Sequence, residues 1–373
     1  MLHHNPIPSS AMSWLAANDP GQPVHFFAPA VLDRQLAAYL SGFPGLVTFA
    51  VKANPASEVI AQLWGGGIGG FDVASPDEIA LVAALCPGAA LHYNNPVRAP
   101  AEIAAGIAAG VVSWAVDDAS ELAKLLAGGV PRSAEIAVRF ALPVAGAAYD
   151  FGSKFGATPA QAVDLLRAVA AAGFRPALTF HVGTQCTDPG AWAAYVTAAA
   201  AIAAQAGVTI ARLNVGGGFP SARDGRPVDL TPFFAAITGA LAAFPVPPAL
   251  MCEPGRGMVA DAFAYGVPVK SVRDRRVYLE DGIYAGLAEL TSMPMPALRI
   301  LGPDGPRRGA LIPRIVFGPT CDSLDRIPGE VPLPADLAPG DWLLFGAMGA
   351  YLTGMTTRFN GYGQWQTVRV AAL

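Results

Sequence analysis

Several short stretches of the chain set a reactive side chain beside small or rigid residues. The first is Phe49-Ala50-Val51-Lys52-Ala53-Asn54-Pro55, an apolar run that delivers one lysine and then stops at Asn-Pro. A desolvated lysine is more readily neutral and nucleophilic, as Schiff-base chemistry requires. Taken alone, a lysine at a strand end is ordinarily a solvated charge. The second stretch, Leu213-Asn214-Val215-Gly216-Gly217-Gly218-Phe219-Pro220, runs into three glycines. A turn without side chains lets several backbone N–H groups converge on an anion, although in isolation it reads equally as a tight turn. Its glycine spacing is not the dinucleotide fingerprint.

In Cys252-Glu253-Pro254-Gly255-Arg256 an acid and a guanidinium flank a rigid turn. The acid could keep a pyridine nitrogen protonated and the arginine could neutralise a phosphate, or the two could simply pair with each other at the surface. Phe180-His181-Val182-Gly183-Thr184-Gln185 offers an imidazole able to stack on an aromatic ring and a hydroxyl, Thr184, able to bind phosphate. A lone histidine in apolar surroundings is otherwise a hydrogen-bonded core residue. Farther on, Gly318-Pro319-Thr320-Cys321-Asp322-Ser323 pairs a thiol that can protonate a carbanion with a carboxylate that can bind an ammonium group. Gly349-Ala350-Tyr351 adds a phenol after a glycine.

The elements that must position these residues follow from periodicity. Short apolar runs at Leu46 to Val51, Gly70 to Val73, Ala90 to Tyr93, Val112 to Val116, Glu135 to Phe140, Ala177 to His181, Ala211 to Val215 and Ala249 to Cys252 alternate with helical stretches. Among the latter are Pro76 to Leu85, Asp118 to Ala127, Pro159 to Ala172, Gly190 to Ala206 and Pro232 to Phe244, several capped by Ser, Thr or Asp and closed by Gly. Such alternation predicts an α/β chain with a (β/α)8 barrel, and about 235 residues suffice for one. Barrel chemistry collects at the C-terminal ends of the strands. Lys52, Asp72, Asn94, Asp117, Arg139, His181, Gly216 and Glu253 all fall at or just past a predicted strand end.

Beyond Tyr265 the pattern changes to short β-like runs between Pro and Gly turns, at Gly266 to Val272, Arg276 to Leu279, Leu311 to Phe317, Asp341 to Phe345 and Thr367 to Val370. Val24 to Ala28, ahead of a helix at Val31 to Ser41, predicts a further strand joining that sheet. The expected organisation is a barrel over 30–265 and a mostly β domain made of 1–29 plus 266–373.

Composition sets limits on function. The net charge of -4 carries no basic run, so nucleic acid is a poor partner. The alanine-rich stretch around Ala198 to Ala206 contains Gln205 and is short, which favours a packed helix over a membrane span. Met1 to Asp19 has neither a basic start with an apolar run nor an Arg-rich amphipathic pattern, so a cytoplasmic location is expected. Cys86, Cys186, Cys252 and Cys321 are far apart, with no disulfide-framework or metal-ligand spacing, and no metal is expected.

These motifs, with Gly70-Phe71-Asp72-Val73-Ala74-Ser75, stand in the order found in the fold type III pyridoxal-phosphate decarboxylases, and the chain resembles that ornithine and diaminopimelate decarboxylase family over nearly its whole length. The resemblance implies an alanine racemase-like architecture and pyridoxal 5'-phosphate as cofactor. It implies that Lys52 carries the cofactor, that His181 stacks on its ring and that Glu253 pairs with the ring nitrogen. Asp72, Arg139 and Thr184 would lie about the cofactor, and Gly216, Gly217, Gly218, Arg256 and Tyr351 about its phosphate. Cys321 would protonate the product, with Asp322 and Tyr284 facing the substrate. In the family Cys321 and Asp322 serve the neighbouring subunit's site, so the resemblance implies a homodimer with shared active sites. The implied activity is removal of the carboxylate from a basic amino acid such as ornithine or lysine, a step toward polyamines. One departure bears on the substrate. At the position of Met293 the eukaryotic ornithine enzymes carry an amine-binding aspartate, and Glu289 is the nearby acid that could replace it. An amino-acid racemase on the same barrel and a non-catalytic, decarboxylase-like regulator are the competing expectations.

Overall fold

The computed structural model describes residues 7–143, 146–148 and 152–373, and so leaves aside residues 1–6 of the N-terminal stretch. The chain divides into two compact units, one of 35–220 and 228–258, the other of 1–34, 221–227 and 259–373. The sequence places the divisions at 29/30 and 265/266. The strand Phe263–Arg273 belongs to the β sheet from its first residue, and 221–227 groups with the β unit.

The first of these units is a parallel barrel. Its strands are Leu46–Val47 with Phe49–Ala50, Phe71–Val73, Leu91–Tyr93, Ser113–Val116, Glu135–Arg139, Arg175–Thr179, Arg212–Asn214 and Ala249–Cys252, hydrogen-bonded in that order. The predicted run Leu46 to Val51 is interrupted at Thr48. Its first half pairs with the last strand, Val47 opposite Cys252, and its second half with the next strand, Ala50 opposite Asp72. One strand thus serves two neighbours, and the ring closes. The predicted sixth strand, Ala177 to His181, lies two residues earlier at Arg175–Thr179, which leaves His181 beyond the ladder, where its ring can be aimed independently of the pleat.

Crossover helices form where the sequence supplies caps. Ser75 accepts from the Glu78 N–H ahead of Pro76–Leu85, and Thr158 makes a reciprocal capping box with Gln161 ahead of Pro159–Ala171. The alanine-rich helix Pro189–Ala206 starts on Asp188 and ends at Gly207, whose φ of 69° only glycine adopts without strain. It buries Trp192, Tyr195, Val196 and Ile202, each contributing about 1.5–3 kcal/mol. Among the described residues no helix is long and apolar enough to cross a membrane.

The second unit is built on a sheet that contains Phe263–Arg273, Arg276–Leu279, Leu298–Gly302, Leu311–Phe317, Val331–Pro334 and Trp342–Phe345. Val24–Phe27 pairs antiparallel with Phe263–Arg273 and parallel with Gln366–Arg369, so the early strand does join this sheet. A core of Tyr265, Val267, Leu279, Val316, Leu333 and Phe345 holds it together.

Candidate active site

The C-terminal mouth of the barrel holds a cavity of about 220 Å³ lined by Lys52, Asp72, Asn94, Arg139, His181 and Glu253, with Lys154 and Phe155 on its wall. Lys52 sits in a single 3-10 turn, Val51–Ala53, directly after the strand. The sequence suggests a desolvated amine, but Lys52 is exposed to the cavity. Its environment is set instead by charge: it acts electrostatically on Asp72, Glu253 and His181.

Glu253 is buried, and burial followed by repulsion from Asp72 raises its pKa to about 8. Its Oε1 accepts from the Nδ2 atoms of Asn94 and Asn214. Asn214 Oδ1 in turn accepts the Gly216 N–H at 2.9 Å, and the Glu253 N–H donates to the Gly216 carbonyl at 2.9 Å, so the acid and the glycine turn are tied together. Asp72 is pushed upward by burial, opposed by Lys52, and its Oδ1 is buried without a hydrogen-bond partner among the described residues.

His181 Nδ1 accepts the Gly183 N–H at 3.0 Å. Burial first, then the positive charges of Arg139 and Lys52, hold the imidazole well below its ordinary pKa. It is therefore a neutral, flat ring at neutral pH. The adjacent Phe180 is braced by Tyr195, stacked at 4.5 Å and 13°, whose hydroxyl donates to the Leu142 carbonyl at 3.0 Å.

Gly216 and Gly218 have φ of 66° and 89°. A Cβ on Gly218 would lie 2.3 Å from the Gly183 carbonyl oxygen, and one on Gly217 would lie 2.6 Å from that of Glu253. The turn admits no side chain. Beside it in the same unit, the buried Arg256 reaches Thr184, its Nε 3.4 Å from Oγ1. Gly218→Ala is expected to lower stability by about 1–3 kcal/mol and to weaken binding of a phosphorylated ligand, as thermal melting with and without that ligand would register.

The other predicted residues are carried by the β unit. Cys321 is exposed, and its N–H donates to Asn360 Oδ1 at 3.1 Å. Tyr284 donates its hydroxyl to Asp322 Oδ2 at 2.6 Å, which lowers the carboxylate's pKa and raises the phenol's. Tyr351 is half-buried with φ of 64°. Glu289 does not fit the expectation of an open acid. It is buried, with its carboxylate 3.8 Å from the buried Arg223, and separating such a pair leaves an uncompensated charge. Met293 is buried as well.

Two features escape sequence reasoning. Asn94 and Asn214 both bond Glu253, yet nothing in an isolated asparagine signals a carboxylate from a different strand. Asp325 is buried and anchors the cysteine loop, accepting from the Thr320 N–H at 3.1 Å, the Thr320 hydroxyl at 2.8 Å and the Ile283 N–H at 3.0 Å. A Cβ on Gly318 or Gly282 would collide with its carboxylate, and those glycines were the available signal.

The barrel unit thus gathers an accessible amine, a neutral ring, a buried acid, an orphaned carboxyl oxygen and a glycine turn without room for side chains, with an arginine beside it. This donor set fits a phosphorylated pyridine aldehyde such as pyridoxal phosphate.

Comparison with known proteins agrees. Residues 30–260 match the pyridoxal-binding domain of the pyridoxal-dependent decarboxylases. The chain is 32% identical to a lysine/ornithine decarboxylase from Selenomonas ruminantium over 85% of this chain and 81% of that protein. It is likewise 32% identical to an antizyme inhibitor 2 from Xenopus laevis, over 89% of this chain and 77% of that one. Among solved structures, the lysine/ornithine decarboxylase from Vibrio vulnificus complexed with putrescine superposes with a TM-score of 0.82 at 28% identity, covering 97% of this chain and 99% of the other. From its barrel, its glycine turn and these matches, the chain belongs to the pyridoxal-dependent decarboxylases.

Proposed function

We propose that this chain decarboxylates a basic amino acid, using pyridoxal phosphate held on Lys52. The observation that carries this reading is the convergence of Lys52, Asp72, Arg139, His181 and Glu253 on one cavity. A relative named for inhibition rather than decarboxylation matches over most of the chain, so overall likeness alone does not decide activity. The intact set of reactive side chains favours the enzyme over a regulator.

When bound, pyridoxal phosphate supplies an electron sink for the pair left behind as the carboxylate departs. Lys52 Nζ would be the nucleophile that holds the cofactor covalently. His181 would offer the cofactor's ring a neutral surface, and Glu253 would hold a proton at the ring nitrogen. Asp72 and Arg139, on the cavity wall, would flank the cofactor. The N–H groups of Gly217 and Gly218, with Thr184 and Arg256, would bind the phosphate, while Gly216, whose own N–H is held by Asn214 Oδ1, shapes the turn, and the resemblance adds Tyr351. Cys321 Sγ delivers the proton to Cα, while Asp322, held by Tyr284, receives the distal ammonium. Glu289, engaged with Arg223, takes no part in that pocket.

The assembly we infer is a homodimer with shared sites, working in the cytoplasm. The exposed Cys321 loop and the free state of all four cysteines support this. Mixing inactive Lys52→Ala and Cys321→Ala chains would restore about a quarter of wild-type activity, because half the dimers are mixed and each of those has one intact site. No restoration would overturn the sharing. Asp325→Ala, which frees the cysteine loop, is expected to slow carbon dioxide release by about 10- to 100-fold with cofactor absorbance unchanged.

The test of function is carbon dioxide release from ornithine, lysine, arginine, diaminopimelate and carboxyspermidine-type substrates. Decay of optical rotation without carbon dioxide would replace the decarboxylase with a racemase.

A further inference from the structure

Asn94 follows the strand Leu91–Tyr93 and is buried. Its Nδ2 donates to Glu253 Oε1, and its backbone N–H and side chain both hydrogen-bond Asp72. A primary amide has two N–H donors, so one planar group can hold two carboxyls from two other strand ends. Asn214 also donates to Oε1, so neither amide occupies Oε2.

The backbone around Asn94 is clamped on both sides. Arg98, itself buried, donates through Nη1 to the carbonyls of Tyr93 and Asn95, and through Nη2 to that of Ala115. Its guanidinium lies over the Tyr93 and Trp114 rings, at 5.2 and 5.4 Å. Side chains locked by such supporting contacts hold a reactive group in one geometry.

We propose that Asn94 is a positioning residue of this decarboxylase: its amide bridges Asp72 and Glu253, fixes the rotation of the Glu253 carboxylate and leaves Oε2 to meet the cofactor's ring nitrogen. The inference rests on the cofactor role given to Glu253 above.

The groups that face the pair are Lys52, Arg139 and the two carboxyls themselves, with Asp72 acting on Glu78 and the neutral His181 acted on by Lys52 and Arg139. A donor to Oε1 favours the ionised form of Glu253. Without it Oε1 keeps only the Asn214 donor, the carboxyl is less firmly fixed and binds its proton more tightly, and a neutral acid cannot hold a proton on the ring nitrogen. The defect therefore shrinks as pH rises. An added carboxyl at the same position has the opposite sign, because it can donate while protonated and repels once ionised.

The experiment compares Asn94→Ala and Asn94→Asp with the wild-type enzyme. Asn94→Ala is expected to lower kcat at pH 7 on the order of 10- to 100-fold with KM changed less than about threefold, and the deficit should narrow by pH 9. Asn94→Asp should show a deficit that widens over the same range. Independently of turnover, both should weaken cofactor binding to the apoprotein by about tenfold. A purely structural asparagine would leave the pH profiles parallel to wild type and the cofactor affinity unchanged, and that result overturns the proposal. Should the alanine variant fail to fold, the nearly isosteric aspartate variant decides alone by the sign of its pH trend. A wild-type protein that binds no cofactor defeats the functional reading itself. An active wild type with unaltered Asn94 variants defeats only this inference.

Discussion

Replacing Lys52 with alanine is expected to reduce carbon dioxide release by about a thousandfold or more and to abolish the visible absorbance of bound cofactor. The reason is geometric. Lys52 is the lysine carried by the turn Val51–Ala53 at the strand end, and among the described residues the other lysine on the cavity wall, Lys154, lies on the far stretch after Arg139 and is set against the Phe155 ring at 5.0 Å. The phosphate turn and Arg256 remain, so the variant should still bind pyridoxal phosphate, weakly and reversibly. Dialysis should then remove it from Lys52→Ala and not from wild type. Retention of both absorbance and turnover in the variant would move the covalent role to another lysine.

The second large effect concerns Glu253 and separates function from stability. Glu253→Gln keeps the shape of the side chain but cannot ionise, and a neutral amide cannot hold the ring nitrogen protonated. A loss in kcat of about 100- to 1000-fold follows. Stability should move the other way. The folded pKa of about 8 lies above the ordinary glutamate value, so the folded state binds the proton more tightly than the unfolded chain does. The protonated acid therefore contributes stability that is fully present below the unfolded pKa and is lost as pH rises through the folded one. Glutamine does not titrate. Relative to wild type, the apoprotein of Glu253→Gln should gain melting temperature as pH rises from about 4.5 to 8, with no advantage at the acid end. Parallel melting curves across that window would show that Glu253 is not strained by burial. Reactive sites that trade stability for chemistry behave in this way.

The barrel strands were legible as apolar runs because most of their residues are buried on both faces, and their order could be read directly since sequential strands pair. Boundaries were less so. The sequence cannot show that Thr48 divides the first strand between two neighbours, because that split is imposed by closure of the ring. Nor can it show that Arg175 and Pro176 extend the sixth strand, since an exposed arginine before a proline reads as a loop and is recruited only by pairing with Glu135 and Ile136. The ion pair of Glu289 is hidden from the sequence for a related reason. Its partner Arg223 lies in a segment that folds with the β unit, although the chain around it belongs to the barrel.

By itself the sequence determined the reagents: a lysine after an apolar strand, a histidine and a glutamate at later strand ends, three glycines and a Cys-Asp pair, in an order that carries a family's signature. Local chemistry suffices for that, since glycine, proline and strand periodicity act over a few residues. Tertiary structure alone decided how the reagents are tuned. Asn94 and Asn214 meet on Glu253, Asp72 raises the pKa of that acid, and Asp325 draws the cysteine loop together. Each of these is a contact between residues distant along the chain or aimed by a buried carboxylate, where weak screening makes a single hydrogen bond or charge count most.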